Sequence, residues 1–243
     1  MTRSVALAAV VVLLAGLVPS SFTAASVTTV TFHASDGVSI VGSLYQPPRR
    51  PTPCVILVHM LTRSRDDWQA LASRLADAGI AALAIDLRGH GASGADPRTD
   101  PDALQDLSPD LLDVRAARAF LASRPDLGVT SVGIAGASIG ANLAVLAAAS
   151  DPTIRSIALL SPGLDYRNLR TEAALKKYGE RPVLMIASQE DGYATRSVRR
   201  LQEAAGTGVR DVRLVNGAGH GTAMLSRQPD LISLIVEWFQ RTL

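Results

Sequence analysis

Cysteine is almost missing from this 243-residue chain: Cys54 stands alone, so no internal disulfide can form. Its setting, "PCVILVH", reads as a buried strand, which makes it a packing residue rather than a reactive thiol. Aromatic residues are scarce at 4%, and no basic stretch is interleaved with them. Neither sign of charge dominates, with 24 Lys plus Arg against 22 Asp plus Glu, and a net charge of +2 is no footprint for a phosphate backbone. Nucleic acid is therefore not an expected partner. There is no Walker pattern, so no nucleotide cofactor is implied, and nothing points to a cofactor of another kind. No cluster of His, Cys, Asp and Glu has metal-ligand spacing, so no metal is expected.

What is present begins with an apolar start. "MTRSVALAAVVVLLAGLVPSSFTAAS" carries Arg3, then an apolar run over residues 5–18, then Pro19 and small residues. That is the order of regions in a secretory signal, with cleavage after Ala25. The run is shorter than the roughly 20 residues a membrane helix needs. The expectation is a signal over residues 1–25, one domain over 26–243, export to the periplasm or beyond, and no stable membrane insertion after cleavage. An uncleaved N-terminal anchor is the alternative.

At 47% apolar residues, the rest of the chain can bury the core of one large α/β domain. "VTTVTFHAS" and "VSIVGSLYQ" alternate in period two around Asp36-Gly37, which predicts an antiparallel hairpin. Beyond "PPRRPTP" come short, continuously apolar runs: "CVILVHM", "IAALAIDL", "TSVGIAG", "IRSIALLSP", "PVLMIAS" and "DVRLVNG". Runs of this kind suit parallel strands covered on both faces. Helical stretches alternate with them at 66–78, 107–123, 139–149, 170–178 and 194–205, and a last one closes the chain. The expected fold is a mostly parallel, doubly wound sheet with an N-terminal antiparallel hairpin.

In such sheets ligands sit beyond the carboxyl ends of the strands. There "GASIG" places Ser138 between Gly136 and Gly140, after a strand and before a helix, the context of a nucleophile elbow. A serine hydroxyl needs a base, and His220 in "NGAGHGTAM" follows the last strand. The imidazole in turn needs an acid. Asp191, directly after "PVLMIAS", is the first choice, with Glu190 and Asp165 as alternatives. The Ile139 N–H opens the elbow helix and could bind an oxyanion. Packing alone would also explain serine between glycines.

With these segments, "VILVHMLTRSRDDWQALASRLADAGIAALAIDLRGHGAS" makes the chain resemble an α/β-hydrolase fold serine hydrolase. It is similar to the compact dienelactone-hydrolase-like and serine-aminopeptidase-like esterases. The resemblance implies hydrolysis of small carboxylic esters by Ser138, Asp191 and His220. It implies a second oxyanion N–H from Leu61 or Met60, where Met60 replaces a frequent glycine. It makes His59 a structural residue of that loop, and Asp86 and Arg88 the ties of a structural turn. Residues 162–180 hold one short helix, too little for a full cap, so an open site suited to short or exposed acyl groups is expected. A peptidase or amidase with the same residues, and a non-catalytic binding protein of the same fold, are the other readings.

Overall fold

The computed structural model describes residues 25–204, 206 and 208–243. The expected signal segment lies almost wholly outside the described residues.

Strands β1 (Ser26–His33) and β2 (Ser39–Gln46) form the expected hairpin, pairing from Ser26 opposite Gln46 to His33 opposite Ser39. Then strands and helices alternate: β3 (Thr52–Val58), α1 (Gln69–Asp77), β4 (Ala81–Ile85), α2 (Leu111–Ala122), β5 (Val129–Ala137), α3 (Ile139–Ser150) and β6 (Ile154–Leu160). A small insertion follows, β7 (Asp165–Tyr166), β8 (Leu169–Arg170) and α4 (Glu172–Tyr178). The chain ends with β9 (Val183–Ser188), α5 (Gly192–Ala204), β10 (Arg210–Val215), α6 (Ala223–Arg227) and α7 (Asp230–Thr242). The main sheet runs β1-β2-β4-β3-β5-β6-β9-β10, and every pairing from β4 to β10 is parallel.

The apolar runs behave as their composition dictates. Along β3, Ile56 and Val58 face one core cluster, with Val114, Leu143 and Val198, while Val55 and Leu57 face the other, with Trp68, Leu75 and Trp238. Alternate side chains of a strand point to opposite faces, so a strand covered on both sides must be apolar throughout. Each fully buried Leu or Ile contributes about 1.5–3 kcal/mol. Helix α3 is buried along its length from Ile139 to Val145, which explains why it lacks a polar face.

The chain leaves β3 for β4 on one side and returns to β5 on the other. That reversal opens a crevice between the carboxyl ends of β3 and β5. Ser138 follows β5, and residues 59–62 follow β3.

Candidate active site

Ser138 sits between β5 and α3 with φ 54° and ψ −116°, a conformation that L-residues rarely adopt. Strain of this kind is of order 1–3 kcal/mol and persists only where the surroundings enforce it. Here they do. The Ser138 N–H donates to the Leu160 carbonyl (2.8 Å), and the Ser138 carbonyl accepts from Ala141 N–H (3.0 Å) and Asn142 N–H (3.2 Å). A Cβ on Gly136 would overlap the Gly140 carbonyl, and one on Gly140 would overlap the carbonyls of Val58 and His59. Both glycines let α3 press against β5 and β3 while the serine stands at the top. Ile139 is the first helical residue, so its N–H has no partner inside the helix.

His220 follows β10 in a loop that positive-φ glycines bend at Gly217, Gly219 and Gly221. Its Nδ1 lies 2.5 Å from Asp191 Oδ2, a close charge-assisted pair. The loop is seated over the elbow. A Cβ on Gly221 would lie 3.6 Å from Ala137 Cβ, and the Gly221 N–H donates to Ser161 Oγ (3.0 Å). The alternatives for the acid fall elsewhere. Glu190 Oε2 accepts from Ser188 Oγ (2.6 Å) and from Gly217 N–H (2.9 Å), so it braces the histidine loop without touching the imidazole. Asp165 accepts from Asn168 N–H (2.9 Å) and Arg170 Nε (3.1 Å) within its own hairpin.

The loop after β3 is fixed by two imidazoles. His59 Nε2 accepts from Leu87 N–H (3.0 Å), so its proton is on Nδ1, which donates to the Met60 carbonyl (2.8 Å). Burial pushes the His59 pKa down to about 4, so the ring is neutral. In the opposite direction, His90 Nε2 accepts from Thr62 N–H (3.2 Å), while its Nδ1 donates to the Arg88 carbonyl (2.9 Å). The rings lie 5.0 Å apart. The Met60 carbonyl also accepts from Arg63 N–H (3.2 Å). Because a trans peptide points C=O and N–H to opposite sides, the Leu61 N–H is turned away from these bonds. The Met60 thioether packs against Gly221, beneath the histidine loop.

"DLRGHGAS" is a structural turn. Asp86 accepts from Arg65 N–H (2.7 Å), from the Arg65 guanidinium and from Ala92 N–H (2.8 Å). Arg88 is held between Asp113 (2.7 Å) and Asp36 (2.7 Å). Gly89 to Gly94 also spell Gly-x-Gly-x-x-Gly, but no helix starts there, so the stretch lacks the helix N-terminus that binds a pyrophosphate. Among the described residues, no three His, Cys, Asp or Glu side chains gather as a metal site.

Two neighbours of Ser138 had not stood out in the sequence. Asn142, one helical turn beyond it, donates from Nδ2 to the Leu169 carbonyl (2.7 Å) and accepts at Oδ1 from Gly163 N–H (2.9 Å). It thereby fastens the β7–β8 hairpin to the elbow helix. Tyr166 on that hairpin sets its ring edge-on to His220, 6.5 Å between centroids, and its hydroxyl donates to the Ser161 carbonyl (3.4 Å). A single polar residue in the middle of an otherwise apolar helical run was the available signal for the first.

Residues 49–181 match the family described as Hydrolase_4, serine aminopeptidase, S33. The chain belongs to that family. Its fold is the α/β-hydrolase fold, shared over 90% of this chain and 93% of the other with Pyrococcus furiosus esterase Pf2001 (TM-score 0.75, 19% identity). Dienelactone hydrolase from Anabaena variabilis superposes over 91% of this chain and 100% of its own (TM-score 0.72, 22% identity). Est1E from Butyrivibrio proteoclasticus, with ferulic acid bound, does so over 87% and 98% (TM-score 0.72, 21% identity). In sequence, the chain is 28% identical over 138 residues to polyketide transferase ATR5 of Stachybotrys chlorohalonatus, a stretch of 56% of this chain and only 45% of that relative. The sheet order, the antiparallel N-terminal hairpin and the small insertion in place of a cap agree with the fold expected from sequence.

Proposed function

We propose that this protein is a serine hydrolase of carboxylic esters, with Ser138 as nucleophile, His220 as general base and Asp191 as the acid that orients it. The observation that carries the reading is the His220–Asp191 bond of 2.5 Å, in a loop packed against Ala137, the residue before a serine at φ 54°. In the reaction, Ser138 Oγ attacks the ester carbonyl while His220 Nε2 takes its proton. Asp191 keeps the proton on Nδ1 and stabilises the imidazolium. The oxyanion is received by the N–H groups of Ile139 and Leu61, the latter turned away from the bonded Met60 carbonyl of the same peptide. His220 then protonates the departing alkoxide, and water repeats the sequence on the acyl-enzyme. The small insertion, and a His220 side chain that is 42% exposed, suit short acyl groups or the exposed ends of larger molecules. Export after cleavage near Ala25 remains part of the proposal; N-terminal sequencing of secreted protein, expected to begin at Ser26, tests it.

The family description favours a second reading, an aminopeptidase. An aminopeptidase must hold the substrate ammonium, and Asp165 and Asp67 are already paired with Arg170 and Arg63, while Glu190 is bonded to Ser188 Oγ and Gly217 N–H. This favours the ester. Labelling by a fluorophosphonate probe, and turnover of p-nitrophenyl esters of graded chain length beside matched p-nitroanilides, decide it. We expect labelling and ester turnover in the native chain and neither in Ser138→Ala. Preference for the anilide would make it a peptidase, and no labelling at all would make it a binding protein.

A further inference from the structure

The proposed chemistry gives the Tyr166 phenol no task, yet much of the segment after β6 serves to place it. The hairpin turns through Arg167 (φ 48°) and Asn168 (φ 71°), the left-handed pair that joins two short antiparallel strands. Asn142 fastens it to α3 at Gly163 and Leu169. Leu107 N–H donates to the Arg167 carbonyl (3.0 Å) and steadies the turn from outside. Gly163 makes room for the ring: a Cβ there would stand 2.5 Å from Tyr166 Cε2. Tyr193 packs edge-on against the ring at 5.4 Å, and its hydroxyl bonds both the carbonyl (2.8 Å) and the N–H (3.0 Å) of Asp165.

At the end of this scaffold the ring stands edge-on to His220, and the hydroxyl donates to the Ser161 carbonyl at 3.4 Å. Hydroxyl hydrogen bonds are ordinarily about 2.7–2.8 Å, so this proton is weakly held. Its direction of approach is also informative. In the sheet β3 lies on one side of β5 and β6 on the other. The loop that carries Leu61 therefore lies on the β3 side of Ser138, and the Tyr166 hairpin on the β6 side. The carbonyl oxygen of a bound ester points to the first. The departing oxygen must lie beside His220, which protonates it, and the Tyr166 ring stands against that imidazole.

Resting on the esterase reading above, we infer that Tyr166 is a further catalytic residue that donates a hydrogen bond to the departing alkoxy oxygen, fitting the site to esters of alkyl alcohols. In acylation the Ser138 Oγ–carbon bond forms and the carbon–alkoxy bond breaks. The proton that His220 took from Ser138 passes to the alkoxide, which leaves as the alcohol. Tyr166 keeps its own proton throughout and shares it only as a hydrogen bond while negative charge builds on the oxygen. A nitrophenoxide leaves without such help; an alkoxide does not.

The test is Tyr166→Phe, which keeps the ring and removes the hydroxyl, assayed by kcat/KM on p-nitrophenyl butyrate and ethyl butyrate. Both esters form the same acyl-enzyme, so their difference isolates the leaving group. We expect p-nitrophenyl butyrate to fall less than about threefold and ethyl butyrate to fall about tenfold or more, the range for a hydrogen bond to a charged group. The p-nitrophenyl rate also shows that the variant has folded. Equal falls on both esters would reduce Tyr166 to a structural residue, and no change on either would remove it from the reaction. A native enzyme that cleaves neither ester overturns the esterase reading itself, and this inference with it.

Discussion

Gly136 and Gly140, two residues either side of Ser138, are packed so closely that a Cβ on the first would overlap the carbonyl oxygen of the second. The obstacle in each case is backbone, and no side-chain rotation can relieve it. Gly140 is the more exposing position to alter, because its Cβ would press on the carbonyls of Val58 and His59 and so on the loop that carries Leu61. Gly140→Ala is expected to lower stability by about 2 kcal/mol or more and to reduce ester turnover further than that loss explains. Urea midpoints and kcat at a temperature where the variant is fully folded separate the two effects. Unchanged kcat in the folded variant would show that the elbow tolerates displacement.

Asp191 and Glu190 are adjacent carboxylates with different work. Asp191→Asn leaves the imidazole without its anionic partner and is expected to lower kcat about 10³–10⁴-fold. Glu190→Gln keeps an acceptor for Ser188 Oγ and Gly217 N–H and should hold kcat within about threefold. A large loss from Glu190→Gln with a small one from Asp191→Asn would exchange their roles.

His59 links the fold to pH. Burial places its folded pKa at about 4, below the roughly 6.5 of an unfolded chain. Between those values the unfolded chain binds the proton and the fold does not. The stability tied to neutral His59 is therefore complete above about pH 6.5 and is lost as pH falls towards 4, on the order of 3 kcal/mol in all. In urea titrations at pH 7 and 4.5, the native chain should lose more stability than His59→Gln. Parallel losses in the two proteins would show that the proton is taken up elsewhere.

Cys54 lies wholly buried in β3, and burial pushes its thiol up to about 12. A disulfide reagent at pH 8 should leave it untouched in the folded protein and titrate it only as the chain unfolds in urea. Stoichiometric reaction without denaturant would contradict this packing.

The parts of the molecule written in periodicity were legible. Six continuously apolar runs became six parallel strands, and the Asp36-Gly37 signal became the hairpin turn. Ser138, Asp191 and His220 could be proposed because each follows a strand, and the sheet collects strand ends at one edge. What stayed hidden depends on contacts between distant segments. Asn142 reads as one polar residue in an apolar helix; only the hairpin against it gives the amide its two partners. Tyr166 sits on strands of two residues, too short for any periodicity to register. The proposal of Leu61 over Met60 as second oxyanion donor rests on the bonds to the Met60 carbonyl, which no spacing in the sequence reveals.

The fastening at Asn142 has a bearing on how this enzyme could be altered. Both of its bonds reach main-chain atoms, at Gly163 and Leu169. The intervening stretch behaves as a cassette with a fixed socket. Its residues other than Gly163 and Tyr166 can be exchanged while the helix after Ser138 keeps its seat, so altered substrate preferences are best sought there rather than at the glycines below.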